Sequence, residues 1–196
     1  GMRWAAGLAS IAILLGWGLR ARTAMDKETL VVYDQRDGMV ASLAQGRSLT
    51  VLASADSLLN DPWLTRKLEK HQRAIGATST VLGSITALSP DSATAFHGSV
   101  LMAGRWRSPL LDVRFINASN NEGGGSSEHA VVVFHDLPWI EGSGAEELVA
   151  GAKQVVIAAG VKWRVRNSIR EACATYGIPC HVIREQGAFI LHRPSD

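Results

Sequence analysis

Two cysteines, Cys173 and Cys180, are all that the 196-residue chain contains. They are too few for a zinc site built from four cysteines or from three and a histidine, and nothing in their number or spacing marks an oxidising compartment. Both read as core thiols. A surplus of one charge is missing too: 20 Lys and Arg against 18 Asp and Glu leave a formal net charge of +2. That is too mild to require nucleic acid unless the basic residues cluster. With 46% hydrophobic and 19% charged residues, the chain is not disordered, collagen-like or a disulfide scaffold. Its length suits one domain with a sizeable core plus an attachment, and is too short for two ordinary domains.

The compact catalytic spacings are also absent. There is no Gly-x-x-x-x-Gly-Lys-Ser/Thr phosphate cradle, and Gly142, Ser143 and Gly144 form a turn without the Gly-x-Ser-x-Gly elbow of a serine nucleophile. The six histidines, His71, His97, His129, His135, His181 and His192, include no pair one, two or four residues apart. The nearest two, His129 and His135, would sit ~20 Å apart along an extended strand, too far to share one ion. Phe134, His135 and Asp136 read as a strand-terminating turn before Pro138, and Asp34, Asp37 and Asp56 as turn and N-cap residues. No catalytic residue, metal or cofactor is expected.

Only one long apolar run is present. From Trp4 to Leu19 no residue is charged, between Arg3 and the pair Arg20 and Arg22. Gly1, ahead of Met2, reads as a leftover of cleavage and is set aside. As a helix the run would reach ~24 Å, short of the roughly 30 Å hydrocarbon core. A signal peptide is the rival reading, but Ala-x-Ala spacing is missing just after the run, and Trp4 and Trp17 lie near its ends as interfacial anchors would. Residues 1–25 are therefore expected to be a membrane span or anchor and residues 26–196 a soluble domain. Arg20, Arg22 and Lys27 would put that domain in the cytoplasm by the positive-inside rule.

The body reads as an α/β protein, an α+β sandwich. Strands are expected at 30–34, 38–43 and 48–54, then an amphipathic helix over 56–75 with Leu58, Leu59, Trp63, Leu64, Leu68 and Ile75 near one face and Arg66, Lys70 and Arg73 on another. Strands follow at 80–86, 99–103 and 110–116, a loop over 117–128 with Gly123, Gly124 and Gly125, a strand at 130–134, a short helix over 144–152 and a strand at 154–158. Val161, Val165, Ile169, Cys173 and Tyr176 recur at helical spacing, Gly177 and Pro179 stop that helix, and 181–183 with 188–191 form a terminal hairpin.

The basic residues are the clearest binding candidates. Lys162, Arg166 and Arg170 fall at i, i+4 and i+8 on the last helix, beside Trp163 and Arg164, with Glu171 the only nearby offset. This ridge suits phosphate binding and a solvated helix face equally. Arg105, Trp106 and Arg107 place an aromatic between two cations, which suits a stacked single strand or a plain edge turn. Together with Arg66, Lys70 and Arg73, these patches are expected to make a DNA-facing surface.

The segment from Val155 to Leu191 resembles the closing unit of the metallo-β-lactamase-like domain at the end of ComEC-type DNA-uptake channel proteins. The strand Val155 to Ala159, the helix Trp163 to Tyr176, the junction Tyr176-Gly177-Ile178-Pro179-Cys180-His181 and the strand opening Gly187-Ala188-Phe189 follow in that family's order. Leu30-Val31-Val32-Tyr33-Asp34 and then Gln35-Arg36-Asp37-Gly38 look like the family's opening strand and its Gly-Gln-Gly-Asp turn, of which Asp37 and Gly38 remain. The apolar run before them is similar to the last membrane span of such proteins. The resemblance implies a degenerate metallo-β-lactamase-like αββα fold in a competence protein, a plasma-membrane location with the domain on the extracytoplasmic face, upstream channel domains as partners, and single- or double-stranded DNA as ligand.

This sequence departs from the family where the chemistry lies. The His-x-His-x-Asp-His motif that holds two metals matches nothing between Asp56 and Ser99, where His71 and His97 stand alone. Without those metals there is no route to hydroxide at neutral pH. The resemblance then implies a pseudo-enzyme with a structural, gating or strand-guiding role. Two other readings stay open. One is a divergent metal-dependent hydrolase or nuclease in which folding gathers Asp34, Asp56, His97, His129 and His135. The other is a non-catalytic module whose basic ridge meets lipid headgroups or an acidic partner.

Overall fold

The computed structural model describes residues 27–35, 37–85, 93–118, 130–137, 139–140 and 144–194. The expected membrane segment, the glycine-rich loop tip, His129 and Ser143 lie outside the described residues. No helix among the described residues is long and apolar enough to cross a membrane.

Two mixed sheets stack face to face. The first has five strands in the order β12-β1-β2-β3-β4. β1 (Lys27–Val32), β2 (Val40–Gln45) and β3 (Ser48–Ala53) form an antiparallel meander, and β4 (Ser79–Ser84) joins β3 in parallel. Antiparallel strands close through short turns, whereas a parallel partner needs a crossover. Helices α1 (Asp56–Leu59) and α2 (Pro62–Ile75) supply it. β12 (Phe189–Pro194) lies antiparallel to β1, so the last strand completes the sheet that the first begins. Gly38 shapes the β1–β2 connection, because a Cβ there would lie 2.6 Å from Leu58 Cδ1 and 2.7 Å from Ser54 Oγ.

The second sheet has seven strands in the order β11-β10-β9-β8-β7-β6-β5. β5 (Ala93–Phe96), β6 (Ser99–Met102), β7 (Arg105–Arg107) and β8 (Asp112–Ile116) run antiparallel, and β9 (Ala130–Phe134), β10 (Gln154–Ile157) and β11 (Cys180–Val182) continue in parallel. Helices α3 (Gly144–Val149) and α4 (Trp163–Tyr176) are the crossovers on either side of β10, and α5 (Ile183–Gln186) precedes β12.

Period-two alternation divides the apolar residues into three layers of packing. Between the sheets, Leu30, Val32 and Leu43 meet Leu101, Trp106, Phe115, Val133 and Val156. Outside the first sheet, Val31, Val40 and Val51 pack with Leu58 and Leu64 of α1 and α2. Outside the second, Val132, Phe134, Val155 and Ile157 pack with Leu148 of α3 and with Val165, Ile169 and Cys173 of α4. The α/β class is as the sequence implies, arranged as helix, sheet, sheet, helix.

Four local readings need correction. The helix expected over 56–75 is broken at Asn60 and Asp61, because Pro62 has no N–H to continue it. Asp61 restarts it as N-cap, its Oδ1 accepting from the Trp63 amide at 3.0 Å. Trp63 leaves the buried face and is half-exposed, with Lys67 Nζ 3.2 Å from its ring centroid. Residues 105–107 are a strand rather than an edge turn. The expected terminal hairpin does not form: α5 and Gly187 carry the chain from β11 in one sheet to β12 in the other.

The hairpins β5–β6 and β6–β7 turn on His97-Gly98 and Ala103-Gly104, with φ of 33° and 86° and of 50° and 71°. Such two-residue turns require positive φ at both positions, which suits Asn-Gly and burdens a residue carrying a Cβ. Ala103→Asn is expected to stabilise the fold by about 1 kcal/mol and raise Tm by about 2–4 °C. Thermal unfolding followed by circular dichroism measures it, and an unchanged Tm would mean that the turn holds no strain.

Candidate nucleic-acid interface

Six of the nine cations expected to meet DNA, Arg105, Arg107, Lys162, Arg164, Arg166 and Arg170, fall into two groups on the outer side of the second sheet. In β7 the alternation turns Trp106 inward, where it is 1% exposed and its Nε1–H donates to Ser99 Oγ at 2.9 Å. It offers no stacking surface. Arg105 and Arg107 face outward onto Asp112 of β8. Arg105 Nε donates to Asp112 Oδ1 at 2.7 Å, its Nη2 pairs with Oδ2, and Arg107 Nε lies 3.7 Å from the same Oδ2. A forked guanidinium on a carboxylate is a satisfied pair, so this patch presents far less free positive charge than the sequence suggests.

On α4 the buried face is Val165, Ile169, Ala172 and Cys173. The expected ridge beside it is also partly neutralised. Arg166, its side chain only 12% exposed, places Nε 3.6 Å from Glu185 Oε1, and Arg170 Nη1 lies 3.2 Å from Glu185 Oε2. Glu171 is therefore not the only offset. Glu185 reaches back from α5, a partner that helical spacing within α4 cannot reveal.

Lys162 and Arg164 remain, both exposed and with no ion pair among the described residues. Trp163 lies between them and is 63% exposed. The three sit at the start of a 14-residue helix whose N-cap, Lys162, makes no side-chain capping bond. The first-turn amides of such a helix lack intrahelical acceptors and add partial positive charge. An exposed indole between two cations at this end can stack one base and contact flanking phosphates. Trp163 is out of phase with Val161, Val165 and Ile169, which was the available signal that it, and not Trp106, is the exposed aromatic.

The third basic patch does not join them. Arg66, Lys70 and Arg73 are exposed on α2, which covers the first sheet, whereas α4 covers the second. The two helices occupy opposite outer layers of the sandwich, so the single surface expected from the sequence is not formed. Arg73 is also paired, its Nη2 lying 3.1 Å from Glu69 Oε2.

No family model matches the chain, and no curated protein matches it in sequence.

Of the residues considered as ligands in the hydrolase reading, His129 lies outside the described residues, and Asp34, Asp56, His97 and His135 do not form a metal-binding group. No group of three His, Cys, Asp or Glu side chains able to hold a metal occurs among the described residues. His97 is an exposed turn residue between β5 and β6. Asp34 is exposed after β1, and Asp56 is exposed in the first turn of α1. His135, read from the sequence as part of a strand-terminating turn, is 2% exposed at the end of β9, its ring edge-on to Phe115 with centroids 6.5 Å apart. Neither ring nitrogen has a hydrogen-bond partner among the described residues. Burial pushes its pKa down to about 4, against a smaller opposing pull from Asp136.

His71 serves packing. Tyr33 Oη lies 2.5 Å from His71 Nδ1 and 2.9 Å from Ser42 Oγ, bridging α2 to β1 and β2. Burial lowers the His71 pKa and raises that of Tyr33. A neutral imidazole accepting from the phenol satisfies both directions.

Proposed function

We propose that this chain is a divergent metallo-β-lactamase-like domain of a ComEC-type DNA-uptake channel protein, and that it guides DNA without cutting it. It would act at the plasma membrane, on the extracytoplasmic face, attached through residues 1–25 to upstream channel domains. The helix–sheet–sheet–helix order, with the last strand closing against the first, supports the fold part of this reading. Fold alone carries no function. The observation that carries the DNA part is Trp163, exposed at the start of α4 between Lys162 and Arg164, which have no ion pair among the described residues.

The site supplies the two terms that sequence-tolerant single-strand binding needs, a π-face and phosphate-directed charge. It is small, so affinity should be modest and strongly dependent on salt. Anisotropy of a labelled single strand of about twenty nucleotides, titrated with the full chain at several salt concentrations, tests this. The expected plot of log affinity against log salt has a slope of about −1.5 to −2, equivalent to two or three phosphate contacts. Binding to anionic vesicles with none to DNA would replace this reading with the membrane-surface one.

A further inference from the structure

We propose that the free edge of β4 is a self-complementary docking surface, and that a second copy of this chain pairs with it, antiparallel and centred on Val81. This rests on observations separate from the DNA reading, since β4 lies in the first sheet and α4 packs on the second. An edge strand presents a row of unpaired N–H and C=O groups, and folded proteins guard such edges with charge, proline or shortness. The other three edges of the two sheets are guarded in these ways. β12 carries His192, Arg193 and Pro194, β11 is three residues long and β5 four. β4 is a six-residue strand, Ser-Thr-Val-Leu-Gly-Ser, with neither charge nor proline.

The hydrogen-bond register identifies the open groups. The Ser79 amide donates to the Arg47 carbonyl at 3.4 Å and the Ile85 amide to the Ala53 carbonyl at 2.8 Å, so Ser79, Val81, Gly83 and Ile85 turn their backbone groups to β3. Thr80 and Leu82, of the other parity, turn theirs away from it. No strand among the described residues lies on that side. Their side chains follow Leu49 and Val51 onto the outer face of the sheet, where Thr80 is exposed and Leu82 is 51% exposed. Val81 and Gly83 point the other way, into the layer between the sheets, where Phe96 Cζ lies 3.3 Å from the Cβ position of Gly83.

These parities define one symmetric pairing. Thr80 exchanges both backbone bonds with the partner's Leu82, Leu82 does so with the partner's Thr80, and the two Val81 residues oppose each other on the two-fold axis as the closer, non-hydrogen-bonded pair. Every open group of Thr80 and Leu82 is then satisfied. On the outer face each exposed Leu82 lies across from a threonine, and no charge of either strand meets its like. A second copy is the occupant that brings a neutral strand of the required parity at the same concentration as the site. The two five-stranded sheets would join edge to edge.

The test places single cysteines along β4 of the full chain, oxidises with copper phenanthroline, and reads non-reducing gels and peptide maps. The Cα atoms of a non-hydrogen-bonded antiparallel pair stand about 4.5 Å apart, within disulfide range. Val81→Cys should give a covalent dimer in which the two peptides carrying position 81 are joined to each other. Thr80→Cys and Leu82→Cys put their thiols two positions out of register with their own copies, beyond that range, and should stay largely monomeric. Leu82→Lys sets a like charge on each side of the axis at a position already exposed, and in combination with Val81→Cys should suppress the cross-link while leaving the circular dichroism spectrum unchanged. No cross-link at Val81→Cys would overturn the proposal. So would equal cross-linking at all three positions, or a Val81→Cys cross-link that survives Leu82→Lys. None of these readouts depends on DNA.

Discussion

Lowering the pH from 6.5 to 4 should destabilise this protein by about 3 kcal/mol through His135 alone. The sign follows from burial. The folded protein holds this imidazole neutral down to about 4, while the unfolded chain takes up the proton near the ordinary value of 6.5. The contribution is complete above 6.5 and is lost progressively as the pH falls to the folded value. Urea unfolding at pH 7 and pH 4.5 measures it. His135→Leu, close in volume, should abolish most of the difference, leaving the smaller acid sensitivity of His71. It should also stabilise the fold at pH 7 by about 1–2 kcal/mol, because two desolvated ring nitrogens with no partner among the described residues are replaced by apolar surface. Equal pH dependence in both proteins would show that the His135 ring is hydrated in solution.

The second large effect concerns the start of α4. Trp163→Ala should weaken single-strand binding by about 5- to 160-fold, the range expected for loss of one base–aromatic stack. Lys162→Ala with Arg164→Ala should flatten the salt dependence by about 1 to 1.5 in slope, as two phosphate contacts disappear. Arg105→Ala with Arg107→Ala, by contrast, should leave DNA affinity within about twofold, because Asp112 already holds both guanidinium groups. Anisotropy on the four proteins, each checked for an unchanged circular dichroism spectrum, separates these outcomes. A greater loss from the Arg105 and Arg107 pair than from Trp163 would place any DNA contact on β7 and refute the α4 assignment.

The contrast between those two triplets shows where sequence reasoning succeeds and where it stops. Local period is visible in a chain of letters. It placed Val165, Ile169 and Cys173 on one face of α4, ended that helix at Gly177, and marked three sequential strands where β1 to β3 lie. It did not assign sides to short segments. Arg105-Trp106-Arg107 reads as an edge turn or as a platform for a stacked nucleic-acid strand until the flanking hairpins turn Trp106 into the core. Ion pairs between elements are also invisible to spacing: Glu185 neutralises Arg166 and Arg170 only because α5 folds back across α4. The terminal hairpin failed for a related reason. Two short apolar runs separated by a few residues look like neighbours, yet a four-residue helix between them sends each to a different sheet. His135 could not be recognised as buried, since one histidine after five apolar residues has no periodicity of its own.

The central claim, that this domain holds DNA and leaves it intact, is tested by one electrophoresis experiment on the full chain. An end-labelled single strand is incubated with the protein at low salt, with zinc and manganese supplied. Half of each sample is run native and half denatured. The expected result is a retarded band on the native gel that disappears as salt is raised, and a full-length strand on the denaturing gel. Shortened strands that depend on the added metals, or no retarded band at the lowest salt, would contradict it.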